Sequence, residues 1–581
     1  MPVNRPLLLT LVAAVAALAI GVSPTPLWDE DEARFAAIAR TMVETGDWVV
    51  PTFNGTLAVD KPVLMHWCMA ACMTVFGVNE FAARLPSIIA TALTALALAR
   101  AGRRWFDDAT GVVAALAYVG CLLVAVEAHA ATPDAILTAL TTWATVLAAE
   151  ALMPAGGPLG RLSPGRAVGI GLLLGLAVVC KGPIGFVGPL AVLGPWAWCL
   201  AVDRRLASPG DRTLARLARQ ALPAVGDVLV SLRPLAIVAG AVLAAAPWYV
   251  AVHLRTHGEW TAGFFFVHNV GRFLAPMERH SGGVLFHPLA LLVGFFPWSC
   301  YLPMAVVLAA WRVWRRPAAG RPEDALLLLL TWLAVWVGAF SAAATKLPNY
   351  VLPAYPAAAF LVAAIGVDAA RRAASRGWPH PRWMTIGLAA LAFGGIATAA
   401  TVLVATRHGV PDAEPAALVG LVPLVAAVAC GLVAVRRPWA AITTFTAASL
   451  VYASLAVGPA GWRLAQANSL PRLVRDLHAR DAGLKLGTYL LASPNVVFYA
   501  DERVVQIGEA SRDAVAAFLA SDPSAVLLVP APHVAELARH LPPGYGEVGR
   551  TRPVFRRHDV VAIGGERGGE PRTAGVREVS R

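Results

Sequence analysis

The stretch Ala82-Ala-Arg-Leu-Pro-Ser-Ile-Ile-Ala-Thr-Ala-Leu-Thr-Ala-Leu-Ala-Leu-Ala-Arg-Ala-Gly-Arg-Arg104 decides the fold. Its apolar run, near 82–101, is long enough to cross a bilayer, which takes about 17–25 residues. It ends in the basic cluster Arg100-Ala-Gly-Arg-Arg104. The same pattern recurs outward in both directions. Apolar runs fall near 6–22, 110–126, 134–152, 167–180, 184–201, 235–252, 287–309, 325–343, 350–367, 383–405, 414–435 and 438–456, which makes about thirteen spans. With the N-terminus in the cytoplasm, the loops on the inner side are 100–104, 161–166, 203–233, 311–316, 371–372 and 436–437. All of them are basic, as the positive-inside rule requires. The first run follows a single Arg5, and Ala17-Leu18-Ala19 has the form of a signal-peptidase site. We read it as an uncleaved span, because the orientation count works only if it is kept.

Composition agrees. Of 581 residues, 57% are hydrophobic and 14% charged, against about 25% charged in soluble chains; mean hydropathy is +0.62. The net charge of +12 resides in short loops between spans, so it reflects topology and not a nucleic-acid partner. The seven cysteines sit in apolar segments without metal-site spacing, and no disulfide framework is expected. The fold class is therefore a mainly α, polytopic membrane protein, with residues 1–456 as the membrane domain. From about 457 the chain turns polar. A helix over Pro471–Arg480, strand-like runs at Leu486–Leu491, Val496–Tyr499, Val504–Ile507 and Ala525–Val529, and a helix over Val534–His540 read as a small α/β domain outside the membrane, spanning 457–563. Residues 564–581 read as a disordered Gly/Arg-rich end.

Two outer loops hold the informative polar residues. Loop 23–81 carries an interfacial helix over Glu30–Glu44, with Phe35, Ile38, Ala39, Met42 and Val43 at helical spacing. It also carries a short apolar helix over Pro62–Phe76, with Pro at its start and Gly77 after it. Loop 253–286 holds or adjoins five of the thirteen histidines, at 253, 257, 268, 280 and 287, whose spacing matches no compact zinc motif.

Lysine is the sharpest signal. Only four of the 48 basic residues are lysine, and three of them, Lys61, Lys181 and Lys346, fall at outer span edges in defiance of the charge rule. Snorkelling at helix ends would explain them. So would a compact cation set for an anionic ligand, which is the reading adopted here, with Arg34, Arg84 and Arg272 as further phosphate candidates. The acidic cluster Asp29-Glu30-Asp31-Glu32 fits a capping box in which Asp29 is the N-cap and Glu32 its partner. That accounts for only part of it, and at least one carboxylate is expected to act as base, metal ligand or substrate contact. Asp134, in Thr132-Pro133-Asp134, reads equally well as helix initiation, with Thr132 as the cap, and as a site residue.

Taken together, Trp28-Asp-Glu-Asp-Glu-Ala-Arg-Phe-Ala-Ala-Ile-Ala-Arg40, Gly46-Asp-Trp-Val-Val-Pro51, Phe53-Asn-Gly55, Asp60-Lys-Pro62, Phe81-Ala-Ala-Arg-Leu-Pro-Ser87, Thr132-Pro-Asp134, Lys181-Gly-Pro183, Phe264-Phe-Phe-Val-His-Asn-Val-Gly-Arg-Phe273, Gly294-Phe-Phe-Pro-Trp298 and Lys346-Leu-Pro-Asn-Tyr-Val-Leu-Pro353 resemble, in order, the bacterial aminoarabinose (4-amino-4-deoxy-L-arabinose) transferase family. That family groups with the protein O-mannosyltransferases among the GT-C glycosyltransferases. The resemblance implies a GT-C fold and transfer of a sugar from a polyprenyl (undecaprenyl) phosphate carrier to an acceptor such as lipid A, by a monomer at the periplasmic face of the bacterial inner membrane. It implies Asp31 as the catalytic carboxylate with Glu32 and Asp134 beside it. Lys61 and Arg272 would hold the lipid phosphate, and Lys181 and Lys346 would line the site; Arg34, Arg84 and Tyr350 are further candidates for substrate contact. A divalent metal would have Asp60 and His268 as candidate ligands. The chain departs from the family in having Asp60 where Glu precedes Lys-Pro, and His268-Asn269 where Glu-His is usual; both bear on metal binding and on the acceptor. The alternatives are a protein or polysaccharide glycosyltransferase with the same donor type and, in another class, a transporter or lipid flippase. The latter places charges and broken helices near mid-membrane, often within internal repeats, and this sequence shows neither a repeat nor a clear mid-span charge.

Overall fold

The computed structural model describes residues 12, 16–18, 25–28, 31–153, 159–206, 214–271, 282–315, 321–407, 410, 413–481, 483–500, 502–509, 513–554 and 556–565. Helix α1 (Asp31–Thr45) and helix α2 (Leu64–Phe76) form the first outer loop, with a two-residue hairpin, β1 (Thr52–Phe53) against β2 (Thr56–Leu57), between them. Helix α3 (Glu80–Trp105) follows, capped by Asn79, whose side chain accepts from the Ala82 amide. Next come α4 (Asp108–Val119), α5 (Leu122–Ala128), α6 (Asp134–Leu152), α7 (Pro164–Lys181), α8 (Ile184–Arg205), α9 (Leu214–Leu232) and α10 (Pro234–Arg255).

Ten helices among the described residues are long and apolar enough to cross a membrane, and the bent pair α4 and α5, at 67°, makes an eleventh. The expected run 6–22 lies largely outside the described residues. The expected run 287–309 is broken into Phe286–Gly294 and Leu302–Arg315 by a turn over Phe295–Tyr301, and neither piece alone spans a bilayer. The loop 203–233, expected on the inner side, is largely helical, since it contains α9. That amphipathic helix leaves Leu222, Val225, Leu229 and Val230 exposed, as an interfacial helix does.

Packing is uneven. The span over Pro348–Arg376 is 89% buried and runs through the middle of the bundle, whereas Pro381–Arg407 is 11% buried and faces outward. Helices α7 and α10 approach closely because Gly171 and Gly240 face each other's backbones: a Cβ at Gly171 would collide with the Ile237 carbonyl, and one at Gly240 with the Val168 carbonyl.

The chain passes from the last long helix, over Pro438–Gln466, into a five-stranded sheet. Its strands are β3 (Lys485–Tyr489), β4 (Val505–Ile507), β5 (Ala525–Pro530), β6 (Tyr545–Thr551) and β7 (Val560–Gly565), in the order β4-β3-β5-β7-β6. β3 pairs in parallel with β4 and β5, whereas β7 pairs antiparallel with β5 and β6. One expectation is corrected. The run Val496–Tyr499 belongs to a helix, Pro494–Tyr499, because Pro494 pre-sets its first turn and Phe498 buries against the first outer loop instead of joining the sheet. The sheet also takes in Gly564 and Gly565; residues 566–581 lie outside the described residues.

Candidate active site

Helix α1 presents two adjacent carboxylates, and the fold treats them oppositely. Glu32 is buried and fully engaged. It accepts from the amides of Trp28 (2.8 Å) and Ala131 (2.6 Å) and from Arg84 Nε (3.1 Å) and Nη2 (2.9 Å). Arg84, on α3, also reaches Thr25 Oγ1 (2.7 Å) and the carbonyls of Thr25 (2.9 Å) and Pro26 (3.2 Å). The capping contact of Glu32 therefore goes to Trp28; Asp29 and Glu30 lie outside the described residues. Glu32 and Arg84 together pin the strap 25–28 to α3.

Asp31, about 100° round the helix from Glu32, opens instead into a cavity of about 890 Å³. Arg34 lies on the same face. Its guanidinium donates to Asp60 Oδ1 at 3.2 Å and sits 4.7 Å over the Phe53 ring of the hairpin. Lys61 is beside it, with Nζ 3.2 Å from the Asp60 carbonyl. Across the cavity, Asp134 opens α6 and Lys181 closes α7; the two form an ion pair, and Asn349 donates to the other Asp134 oxygen at 3.3 Å. Thr132 does not cap α6. Its hydroxyl donates to the buried Glu127 at 2.8 Å, which leaves the Asp134 carboxylate facing Lys181 and Asn349. Tyr350 lines the cavity with its ring 5.2 Å from the Lys181 ammonium.

The cavity thus gathers Asp31, Arg34, Asp60, Lys61, Asp134, Lys181, His268 and Tyr350. Lys346 is buried and differently employed. Its ammonium donates to the carbonyls of Ser341 (2.7 Å) and Phe340 (3.2 Å), capping the helix over Arg321–Ala342, while its neighbours Thr345 and Leu347 line the cavity. Arg272 and His280 lie outside the described residues. His253 bonds Thr261, and the buried His287 stacks on Tyr350 and meets the Leu347 carbonyl. The sequence reading missed Asn349, although it stands inside a quoted motif, and also Glu127. It missed Ala492 and Pro494, which the C-terminal domain contributes to the cavity wall and which no local pattern marks.

Two carboxyls in one cavity are driven apart. Burial raises Asp31 above the ordinary carboxylate value, with Asp134 and Asp60 adding to the rise and Lys61 opposing it. Burial would raise Asp60 too, but Lys61 and Arg34 outweigh it and hold Asp60 below that value. Asp60 is therefore an anion locked to cations, whereas Asp31 holds its proton more readily than an ordinary carboxylate does. The donors do not make a metal shell. Asp60 is committed to Arg34, Asp134 to Lys181 and Asn349, and among the described residues no group of three or more His, Cys, Asp or Glu side chains converges on a point.

Comparison with known proteins places this architecture. The family model for dolichyl-phosphate-mannose-protein mannosyltransferase matches residues 60–218. The solved structure of ArnT from Cupriavidus metallidurans bound to undecaprenyl phosphate superposes with a TM-score of 0.75 at 20% identity, covering 96% of this chain and 99% of that one. The chain thus shares the fold of that structure. In sequence the chain is similar to aminoarabinose transferases over part of their length. Undecaprenyl phosphate-alpha-4-amino-4-deoxy-L-arabinose arabinosyl transferases from Aeromonas hydrophila and Pseudomonas paraeruginosa are 33% and 32% identical over 62% and 67% of this chain. The matched region spans 59% and 64% of those relatives' own lengths.

Proposed function

We propose that the protein is a polyprenyl-phosphate-dependent glycosyltransferase of the bacterial inner membrane. It moves aminoarabinose from undecaprenyl phosphate to lipid A on the periplasmic side. One observation carries this reading: an accessible carboxylate, Asp31, shares a cavity with Lys61, Arg34 and Lys181 at the span ends away from the basic loops. Phe264, Phe340, Ile184 and Leu137 add apolar wall suited to the first isoprene units.

In the reaction, the bond between the sugar's anomeric carbon and the carrier phosphate breaks, and its electrons leave on the phosphate. Lys61 and Arg34 offset that developing charge. The acceptor oxygen forms the new bond to the anomeric carbon. A hydroxyl acceptor delivers its proton to Asp31; a phosphate acceptor attacks as an anion, and Asp31 then stabilises the positive charge growing on the sugar ring. Asp134, held by Lys181 and Asn349, fixes the far wall.

The test is turnover of labelled undecaprenyl-phosphate aminoarabinose in membranes, with lipid A read by mass spectrometry. Label on lipid A that disappears in Asp31→Asn and Lys61→Ala supports the reading. Label on protein or polysaccharide would redirect the acceptor, and near-normal turnover in both variants would overturn the site.

A further inference from the structure

The strap 25–28, through which the chain enters α1, is held from two sides. On one side Arg84 grips Thr25 and Pro26, and Glu32 accepts from the Trp28 amide. On the other side the holder is the C-terminal domain. The Leu27 amide donates to Tyr499 Oη at 2.9 Å, and the Tyr499 hydroxyl in turn donates to Glu80 Oε1, also at 2.9 Å. Arg475 sits 5.0 Å over the Tyr499 ring and 3.4 Å from the same Glu80 oxygen. Asn468 reaches the Leu27 carbonyl at 3.4 Å. Glu80 and Arg84 are one turn apart on α3, so both grips on the strap start from one rigid helix.

The same domain holds α1 along its length. The Arg40 guanidinium donates to the carbonyls of Phe498 (2.9 Å) and Ala500, and Phe498 is buried in the core of the first outer loop. At the hairpin, Asn54 donates to the Val504 carbonyl (2.9 Å) and accepts from the Val504 amide (3.0 Å). Ala492 and Pro494, a few residues before Tyr499, are cavity wall.

We infer that Tyr499 is a positioning residue for Asp31, through which the C-terminal domain sets the reach of that carboxylate into the cavity. The inference rests on the proposed role of Asp31. A phenol is well matched to this position, since burial and the neighbouring Glu80 push its pKa up and it remains a neutral donor across the working range. Its two hydrogen bonds tie the residue four before Asp31 to Glu80 at the start of α3. Without them the strap keeps Arg84, Glu32 and Asn468 but loses its tie to Glu80, and Asp31 shifts relative to the sugar and to Lys61. Displacements of about 1 Å at a reacting centre cost up to about a hundred-fold in rate.

The experiment is a double-mutant cycle on the full-length protein in membranes, with kcat and KM measured for the lipid-linked sugar. Tyr499→Phe keeps the ring beneath Arg475 and removes only the hydroxyl. It should lower kcat about ten-fold or more, leave KM for the donor within about two-fold, and move the acid limb of the pH profile. In an Asp31→Glu background, whose longer side chain has already moved the carboxylate, the same change should cost much less. Glu80→Gln, which keeps an acceptor for the Tyr499 hydroxyl, should retain most activity. Equal losses from Tyr499→Phe in the two backgrounds, or a loss carried by KM alone, would overturn the inference and leave the Asp31 assignment standing. Asp31→Asn on its own tests that assignment; normal turnover there would remove both.

Discussion

Helix α6 carries a carboxylate near each end, and the two ends behave differently. Near its inner end, Glu150 is 1% exposed and accepts from three arginines: Arg100 at 2.9 Å, Arg104 at 2.9 Å and Arg166 at 3.2 Å. Those arginines come from loops that the charge rule places in the cytoplasm, and Glu150 gathers them into one closed cluster. At the outer end, about 24 Å away at 1.5 Å per residue, Asp134 meets Lys181 and Asn349 and faces open volume shared with Asp31 and Lys61. The inner cluster gathers three cations on one carboxylate; the outer spreads Arg34, Lys61 and Lys181 around a cavity with room for a ligand. Charge density alone therefore does not mark the site. What marks it is charge arranged around open volume.

The largest separation between the two ends should appear in turnover. Asp31→Asn is expected to reduce kcat about 10²- to 10⁴-fold with the thermal midpoint unchanged, checked by donor turnover beside a melting curve in detergent. Glu150→Gln should leave turnover per folded molecule unaltered, and a drop comparable to that of Asp31→Asn would erase the contrast.

Stability in acid comes next. Burial pushes the His66 imidazole, packed edge-on to Phe35 behind the site, from 6.5 down to about 4, with Asp60 opposing the fall. The unfolded chain therefore binds the extra proton first. Stability supplied by neutral His66 is fully present above 6.5 and is lost as the pH falls toward 4, at up to about 1.4 kcal/mol per unit. Urea melts from about pH 7 down to about 4.5 should show a steep decline in the parent and a shallower one in His66→Phe.

Glu150→Ala should follow. It leaves three half-exposed arginines to be resolvated and should cost about 1–3 kcal/mol, visible as a lower melting temperature without a kinetic signature. The smallest effect is a shift along the pH axis. Lys61 lowers the Asp31 value, so Lys61→Gln should move the acid limb of residual kcat/KM to higher pH. Movement the other way would show that a different group sets the limb.

Much of the bundle was legible in the sequence, because apolar runs and basic loops are repeated signals that each confirm the others. Lys61 and Lys181 were legible for the opposite reason: each breaks the charge rule, and the fold brings both to one cavity. Lys346 breaks the same rule, yet its ammonium ends on helix carbonyls, since nothing local states which way a long side chain turns. Val496-Val-Phe-Tyr499 has strand composition but follows Pro494 and buries Phe498 against α1, so tertiary packing decides against propensity. Glu150 went unnoticed as a lone acid inside an apolar run, its three partners scattered from Arg100 to Arg166. Asp31 and Glu32 could not be told apart by type; only the arrival of Arg84 and the Ala131 amide occupies one and leaves the other open.

The cavity wall runs from Asp31 to Pro494 in the chain, and this has a consequence for synthesis. A ribosome that stops before the last of these residues leaves spans in the bilayer without a finished pocket. On the proposed reading, such a copy already carries Asp31 and Lys61 but lacks the part of the chamber that Ala492 and Pro494 close.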